Sequence, residues 1–388
     1  MVSISEKFTV VIVMPLAQQR GGAELALLQL VGSDTSIRWH VVFLEDGPMV
    51  AQFRQLGYAA DVIEAGRVRQ PLKMLSAVRA IARLARRVEA KAMLGWMAKA
   101  HLYSGAAAKL AGIPAVWFQH ALPTRGGMID ELANRIPAVG AMACSQFSAD
   151  AQLKVTPRLA MKVVYAPTDL QRFNPDTLAS PQACRQELNL PADGPIIGIF
   201  GRLQRWKGMH VLIDAFPSIL AKYPSATALV VGGIWELEAE YEKYLHDQAK
   251  TLGIEKSVVF AGHQTNIAQW MQACDVIVHA SDREPFGMVV VEAMALGKPV
   301  IAGATGGPQE IITDGVDGLL ARFEDVPALS AAVLRYLDDP ITARKIGDAA
   351  RQRAQEFSLE RFVQSVSQAL EYWVYSPSAT EPKAVHAN

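Results

Sequence analysis

The sequence predicts an α/β protein built from two doubly wound, Rossmann-like domains in tandem. Three observations carry this reading. Apolar runs such as Val10-Val-Ile-Val-Met14 are unbroken by polar residues, as strands covered on both faces require. Amphipathic helical stretches alternate with such runs along nearly the whole chain, the pattern of βαβ units. A proline-rich stretch divides the alternation into two halves, and 388 residues exceed what one core usually organises.

In the first half, strands are expected at 8–14, 39–44, 60–64, 92–96, 115–120, 138–143 and 162–165. The helical stretches between them include 23–31, 71–90 and 98–111. Pro167, Pro175, Pro181, Pro191 and Pro195 then fall among polar residues, with a short helix expected at 182–188. The second half repeats the alternation. Its strands are expected at 196–200, 227–231, 257–261, 275–279, 299–302 and 318–321. Its helices are expected at 209–222, 235–252, 267–273, 287–296, 326–337, 343–357 and 359–373. These boundaries give a first domain over 1–170, a linker over 171–193 and a second domain over 194–358. Ligands of such domains sit at the carboxyl ends of the strands, here expected to face a central cleft.

Composition narrows the function. Apolar residues make up 51% and charged residues 20%, which suits a globular chain rather than a disordered or membrane-spanning one. Lys plus Arg and Asp plus Glu are equal at 38 each, so no global charge draws the chain to nucleic acid. Residues 8–14 lack the positive flank of a signal sequence, and no apolar run is long enough to span a bilayer. Cys144, Cys184 and Cys274 form no paired spacing and read as reduced thiols of a cytoplasmic protein.

Four strand-exit loops carry candidate chemistry. Gly21-Gly22-Ala23-Glu24 follows the first strand and opens a helix, where paired glycines allow close approach of a phosphate or sugar. Gly201-Arg202 through Lys207-Gly208 places cations on the first loop of the second half. Arg202 suits bidentate binding of a diphosphate and Lys207 acts as a point charge. Glu284-Pro-Phe-Gly-Met-Val-Val-Val-Glu292 brackets a strand exit and a helix start, with the amides of Phe286, Gly287 and Met288 forming an oxygen-binding cradle. Thr305-Gly306-Gly307 follows the next strand. His120 and His279 stand at strand ends and His263 follows another; His120 reads as structural or as facing the cleft, His263 and His279 as structural or as the lining of a base pocket. No D-x-D triplet, H-E-x-x-H or His/Cys cluster occurs, so no metal or other cofactor is expected. The P-loop and dinucleotide fingerprints are also absent.

Taken together, these loops resemble the retaining glycosyltransferases of family 4, whose fold is GT-B. The E-x7-E segment with its Gly297-Lys298-Pro299-Val300 continuation is the most specific part of the likeness. The resemblance implies a nucleotide-diphosphate sugar as donor and a glycan, lipid-linked or small-molecule acceptor. It assigns Arg202 and Lys207 to the diphosphate, Glu284 to the sugar ring and Glu292 to the ribose hydroxyls. It also assigns the 286–288 amides to sugar or phosphate, Gly22 to the phosphates and His120 to the sugar's 6-position. Gly21, Gly201, His263 and Gly307 complete the expected donor contacts. Residues 359–375 are implied to pack back on the first domain. Departures occur at Pro167-Thr168-Asp169, where the family often reads P-N-G-V-D, and at Gly307-Pro308-Gln309-Glu310, where the family's G-G-x-x-E often comes with a Leu-Pro or Val-Pro pair. Alternatives are a catalytically silent nucleotide-sugar binder or another GT-B enzyme such as a sugar-nucleotide epimerase.

Residues 67–91 carry eight basic residues against one acid, Glu89. Arg79, Arg83, Arg86 and Arg87 share a helical side opposite Val78, Ile81, Leu84 and Ala85. Two readings compete there: a solvated basic face, or peripheral contact with an anionic inner membrane face.

Overall fold

The computed structural model describes residues 7–375, apart from 20, 34, 67, 68 and 125. The chain forms two compact units, one running to Pro167 and resuming at Leu359, the other spanning Thr168–Ser358. In the first, β1 (Phe8–Met14), β2 (Ile37–Phe43), β3 (Ala60–Val62), β4 (Ala90–Trp96), β5 (Ala115–Gln119), β6 (Gly140–Ala143) and β7 (Met161–Val163) form one sheet. Its order is β3-β2-β1-β4-β5-β6-β7, with every pair parallel. In the second, β8 (Ile196–Phe200), β9 (Thr227–Val231), β10 (Val258–Gly262), β11 (Val276–His279), β12 (Val300–Gly303) and β13 (Leu319–Ala321) are ordered β10-β9-β8-β11-β12-β13, again all parallel. Every residue of β1, β5, β8, β9 and β11 is buried, which is why their sequences are apolar on both faces.

Strand order decides where a ligand can sit. In each sheet the chain winds outward one way, then returns to the other side of its first strand. The reversals fall between β1 and β4 and between β8 and β11. Helices leave such neighbouring strands to opposite faces, so their exit loops part and open a crevice. Gly21 and Gly22 follow β1, Gly201, Arg202 and Lys207 follow β8, and Glu284 to Gly287 follow β11, whereas His120, His263 and Gly307 follow β5, β10 and β12.

The helix Leu359–Tyr375 belongs to the first unit and buries Phe362, Val366, Leu370 and Trp373. Trp373 lies so close to Gly140 that a Cβ there would come within 2.1 Å of the indole, and Ser36 Oγ donates to Glu371 at 3.0 Å.

Several boundaries differ from the sequence reading. Residues 171–193 join the second unit instead of standing between two bodies, and their short helix is Pro181–Glu187. Arg185 ties this segment down, donating to the Ala273 carbonyl at 2.9 Å and to Asp275 at 2.6 Å. The basic helix ends at Arg87 because Ala90 already begins β4. The stretch expected as one helix over 235–252 divides into a short 3-10 turn, Glu236–Glu238, and a helix, Glu240–Thr251. The helix expected from Ala343 begins at Pro340, where Asp339 caps it by accepting from Thr342 N. Helices at Pro48–Gln55, Met128–Ala133 and Gln146–Leu153 lie outside the expected set; none exceeds eight residues, too short to show a periodicity.

Candidate active site

In the second unit the site is built by backbone contact between loops. The loop after β8 passes under that after β9: Leu203 N donates to the Gly233 carbonyl at 2.9 Å, and a Cβ at Gly232 would meet the Gly201 carbonyl at 1.7 Å. On its other side, Asp282 N donates to the Trp206 carbonyl at 2.8 Å. Gly208 has φ +77°, and a Cβ there would lie 1.9 Å from the Ala280 carbonyl oxygen. The loops leaving β8 and β11 are therefore in direct backbone contact. The loop after β12 braces them, since Gly307 N donates to the Glu284 carbonyl at 2.8 Å. That N–H is engaged within the protein, and a Cβ at Gly307 would strike Phe286 at 2.4 Å. The close approach expected at Gly307 is thus made by the neighbouring loop.

This bracing sets Lys207 beside Glu284. The Lys207 ammonium donates to Glu284 Oε2, with 14% and 12% of the two side chains exposed. His279, the last residue of β11, places Nε2 3.2 Å from the same oxygen, and Ser281 Oγ lies 3.2 Å from that nitrogen. Burial alone would raise the Glu284 pKa. The Lys207 charge and the His279 hydrogen bond outweigh it and hold the group at about 2. Arg283 just before it has φ +46°, a strained conformation fixed in part by Arg283 N donating to Thr305 Oγ1 at 3.2 Å. The Lys207 ammonium also lies 4.1 Å from the centre of the Trp206 ring. Gly201 sits beneath the Lys207 side chain, within 3.8 Å of its Cδ were a Cβ present.

Arg202 stacks over Trp235 at 4.4 Å, a partner from the loop after β9 that the sequence did not suggest. His263 is exposed beside Gly233, 3.2 Å from where a Cβ would be. Gly287, with φ +111°, opens the helix Met288–Ala295, whose first internal bond is Val290 N to the Gly287 carbonyl. The Met288 amide thus precedes the hydrogen-bonded helix. Phe286 is buried and packs edge-on to Phe357 at 5.7 Å. Glu292, half-buried on the second turn, has its pKa raised by burial to about 7, opposed by the charge of Arg172. Among the described residues no hydrogen bond or salt bridge engages its carboxylate. Arg172 itself donates to the Thr265 carbonyl at 2.6 Å, a residue from the expected linker that sequence reasoning missed.

The first unit holds its own cluster. Trp96, ending β4, donates from Nε1 to the Ala23 carbonyl at 2.9 Å, just after Gly21 and Gly22 at the head of the first helix. Its ring lies 4.6 Å from His120, which also stacks on Phe118 at 4.0 Å. Burial lowers the His120 pKa to about 3, so the ring is neutral. Its Nε2 has no partner among the described residues. Met97, with φ +76°, turns the chain out of β4. The structure brings Gly21, Gly22 and His120 together around Trp96, and Gly201, Lys207, Glu284 and Gly307 together at the β8/β11 reversal.

Comparison with known proteins supplies the family. HepE of Anabaena, solved in complex with UDP and glucose, is 30% identical and superposes with a TM-score of 0.82, over 93% of this chain and 99% of that one. Residues 182–353 match the family described as glycosyl transferases group 1. The chain belongs to the group 1 glycosyltransferases. Its two parallel, Rossmann-like sheets are those of the GT-B fold. A curated relative, the D-inositol 3-phosphate glycosyltransferase of Corynebacterium urealyticum, is 34% identical over 202 residues, 51% of this chain and 48% of that protein. The lipopolysaccharide core biosynthesis mannosyltransferase LpsB of Rhizobium meliloti is 28% identical over 206 residues, 52% of this chain and 58% of that one. The chain thus spans about half the length of these curated relatives.

Proposed function

We propose that this chain is a retaining, metal-independent glycosyltransferase of family 4. It moves a hexosyl unit from a nucleotide-diphosphate sugar to a sugar, lipid-linked or small-molecule acceptor. The observation that carries the proposal is the Lys207–Glu284 pair, supported by His279, at the strand reversal of the second unit. UDP and UDP-glucose bound to HepE support the donor class.

The chemistry follows from the charges. As the sugar–phosphate bond breaks, negative charge grows on the diphosphate and positive charge on the sugar ring. Arg202, stacked over Trp235, and Lys207, paired with Glu284, are the cations assigned to the former. Glu284, with a pKa of about 2, is a carboxylate at neutral pH and cannot supply a proton. It stabilises the developing positive charge instead. The leaving diphosphate needs no proton when cations neutralise it, and its oxygen can take the acceptor's proton on the face it leaves, which preserves configuration. Glu292 accepts from the ribose hydroxyls. Gly201, the 286–288 segment and His263 line the donor. In the first unit, His120 is assigned to a sugar hydroxyl, and Gly21 and Gly22 to a phosphate.

The test is release of nucleoside diphosphate from UDP-glucose and GDP-mannose by the wild type, Lys207→Ala and Glu292→Ala, with the product anomer read by proton NMR. Each variant is expected to lose on the order of 10²-fold in turnover, with an axial product from an axial donor. An inverted anomer removes the retaining assignment. Wild-type rates in both variants would refute the site, and binding without any hydrolysis or transfer would favour the silent binder.

A second reading concerns membrane contact. Among the described residues no helix is long and apolar enough to cross a membrane. The helix Pro71–Arg87 exposes Arg79, Arg83, Arg86 and Arg87, and beside them Leu72 is 82% and Leu75 42% exposed. Two exposed leucines next to a row of arginines suit an anionic lipid surface, each cation adding about 1 kcal/mol. Salt-sensitive flotation with phosphatidylglycerol vesicles is expected, and its absence at low salt would refute the contact.

A further inference from the structure

His279 stands at a place where the donor-site reading creates a physical difficulty. Glu284 is 9% exposed, and its Oε2 is met by two donors, the Lys207 ammonium and His279 Nε2 at 3.2 Å. The same ammonium is the cation assigned to the donor diphosphate. A doubly charged diphosphate draws Lys207 away from Glu284, and a buried carboxylate that loses its cation is strongly destabilised. Something must hold Glu284 while Lys207 is engaged elsewhere.

His279 is built for that task. It is 2% exposed and ends β11, where its backbone is in register with Ala302 of β12, so it cannot follow Lys207. Its Nδ1 is buried and has no partner among the described residues. Nε2 faces Glu284 Oε2, and because a carboxylate oxygen only accepts, Nε2 carries the proton of that contact. Ser281 Oγ, fully buried and 3.2 Å from Nε2, is a second acceptor for the same N–H. The Nε2–H donates to Glu284 from a position fixed by the sheet.

We propose that His279 is a positioning residue that holds the Glu284 carboxylate while Lys207 is drawn to the donor diphosphate. It acts through Glu284 and touches neither substrate nor reacting atoms. The inference rests on the assignment of the second unit as the donor site.

The test is calorimetric titration of UDP and GDP into the full chain, using whichever the wild type binds. His279→Met keeps length and apolar bulk but has no donor, whereas His279→Gln presents an amide N–H near the position of Nε2. Loss of a hydrogen bond to a buried charge is expected to weaken nucleotide binding by about tenfold or more in His279→Met. His279→Gln is expected to restore binding to within about threefold of the wild type. His279→Leu, which carries no donor either, repeats the test with a branched side chain should the methionine variant fail to fold. The decisive arm is the Glu284→Gln background. With no carboxylate to hold, His279→Met should change affinity there by less than about twofold. A merely structural role for His279 would weaken binding equally in both backgrounds, and that result overturns the proposal. Unchanged affinity in His279→Met, or failure of His279→Gln to rescue it, overturns it as well. A wild type that binds neither nucleotide removes the donor-site assignment and this inference with it, an outcome distinct from binding that ignores His279.

Discussion

Lys207→Met removes the ammonium from a carboxylate that stays buried. Glu284 has a pKa of about 2 in the fold against 4.5 when free. At about 1.4 kcal/mol for each tenfold, the fold gains roughly 3 kcal/mol from this group at neutral pH. Lys207 is the largest cause of the depression, so the substitution should forfeit most of that amount. For a unit the size of Thr168–Ser358, a loss of about 3 kcal/mol lowers Tm by roughly 6–12 °C. Scanning calorimetry of the whole chain at pH 7 reads this as a shift of the second unit's transition. The sign of the pH dependence follows from the depressed pKa. The contribution is complete above the free value of 4.5 and fades as pH falls toward 2, when Glu284 takes up its proton in the wild type too. The gap between wild type and variant should therefore close in acid. A Tm within about 1 °C of wild type at pH 7 would mean that the pair adds nothing measurable, and the electrostatic account of Glu284 would fail.

Further outcomes are expected at neighbouring residues. Burial raises the Glu292 pKa to about 7, so the carboxyl favours its protonated form and adds stability that is lost as pH rises from 4.5 through 7. Ribose hydroxyls donating to it favour ionisation. UDP-glucose should therefore bind more tightly as pH rises toward 7, by up to about tenfold per unit, and Glu292→Gln should flatten the dependence. A parallel slope in Glu292→Gln would place the titrating group elsewhere. Gly208→Ala forces a Cβ against the Ala280 carbonyl at a positive φ, and is expected to cost about 2 kcal/mol or more and to lower turnover by shifting Lys207. Wild-type stability and rate in that variant would show that the loop yields without consequence. Donor turnover should be unchanged by EDTA, because Arg202 and Lys207 supply the neutralising charge; a loss restored by Mg²⁺ would refute metal independence.

How much of this was legible follows from where each feature is encoded. Strands such as Phe8–Met14 and Ile196–Phe200 announce themselves, because burial on both faces demands a run of apolar residues. The short helix Met128–Ala133 does not, since six residues carry less than two turns of periodicity. Loop residues such as Lys207 and Glu284 could be read as candidates from their places after strands. Their pairing could not, because it depends on β8 and β11 being neighbours, a fact of strand order with no local signature. His279 reads as structural or base-lining from its place at a strand end; that it faces Glu284 depends on the sheet's register, which has no local signature. Arg172 gave no signal. It lies in a polar stretch that reads as a linker, and only folding of that stretch onto the second unit brings its charge to Glu292.

The central claim is that the second unit holds the diphosphate of a nucleotide sugar through Arg202 and Lys207. Calorimetric titration of UDP-glucose and GDP-mannose into the wild type and Arg202→Ala/Lys207→Ala, at equal pH and salt, tests it most directly. The account predicts saturable binding of one donor by the wild type and a loss of about 100-fold or more in the double variant, as expected when two charge-assisted contacts are removed. Equal affinity in the two proteins would contradict it.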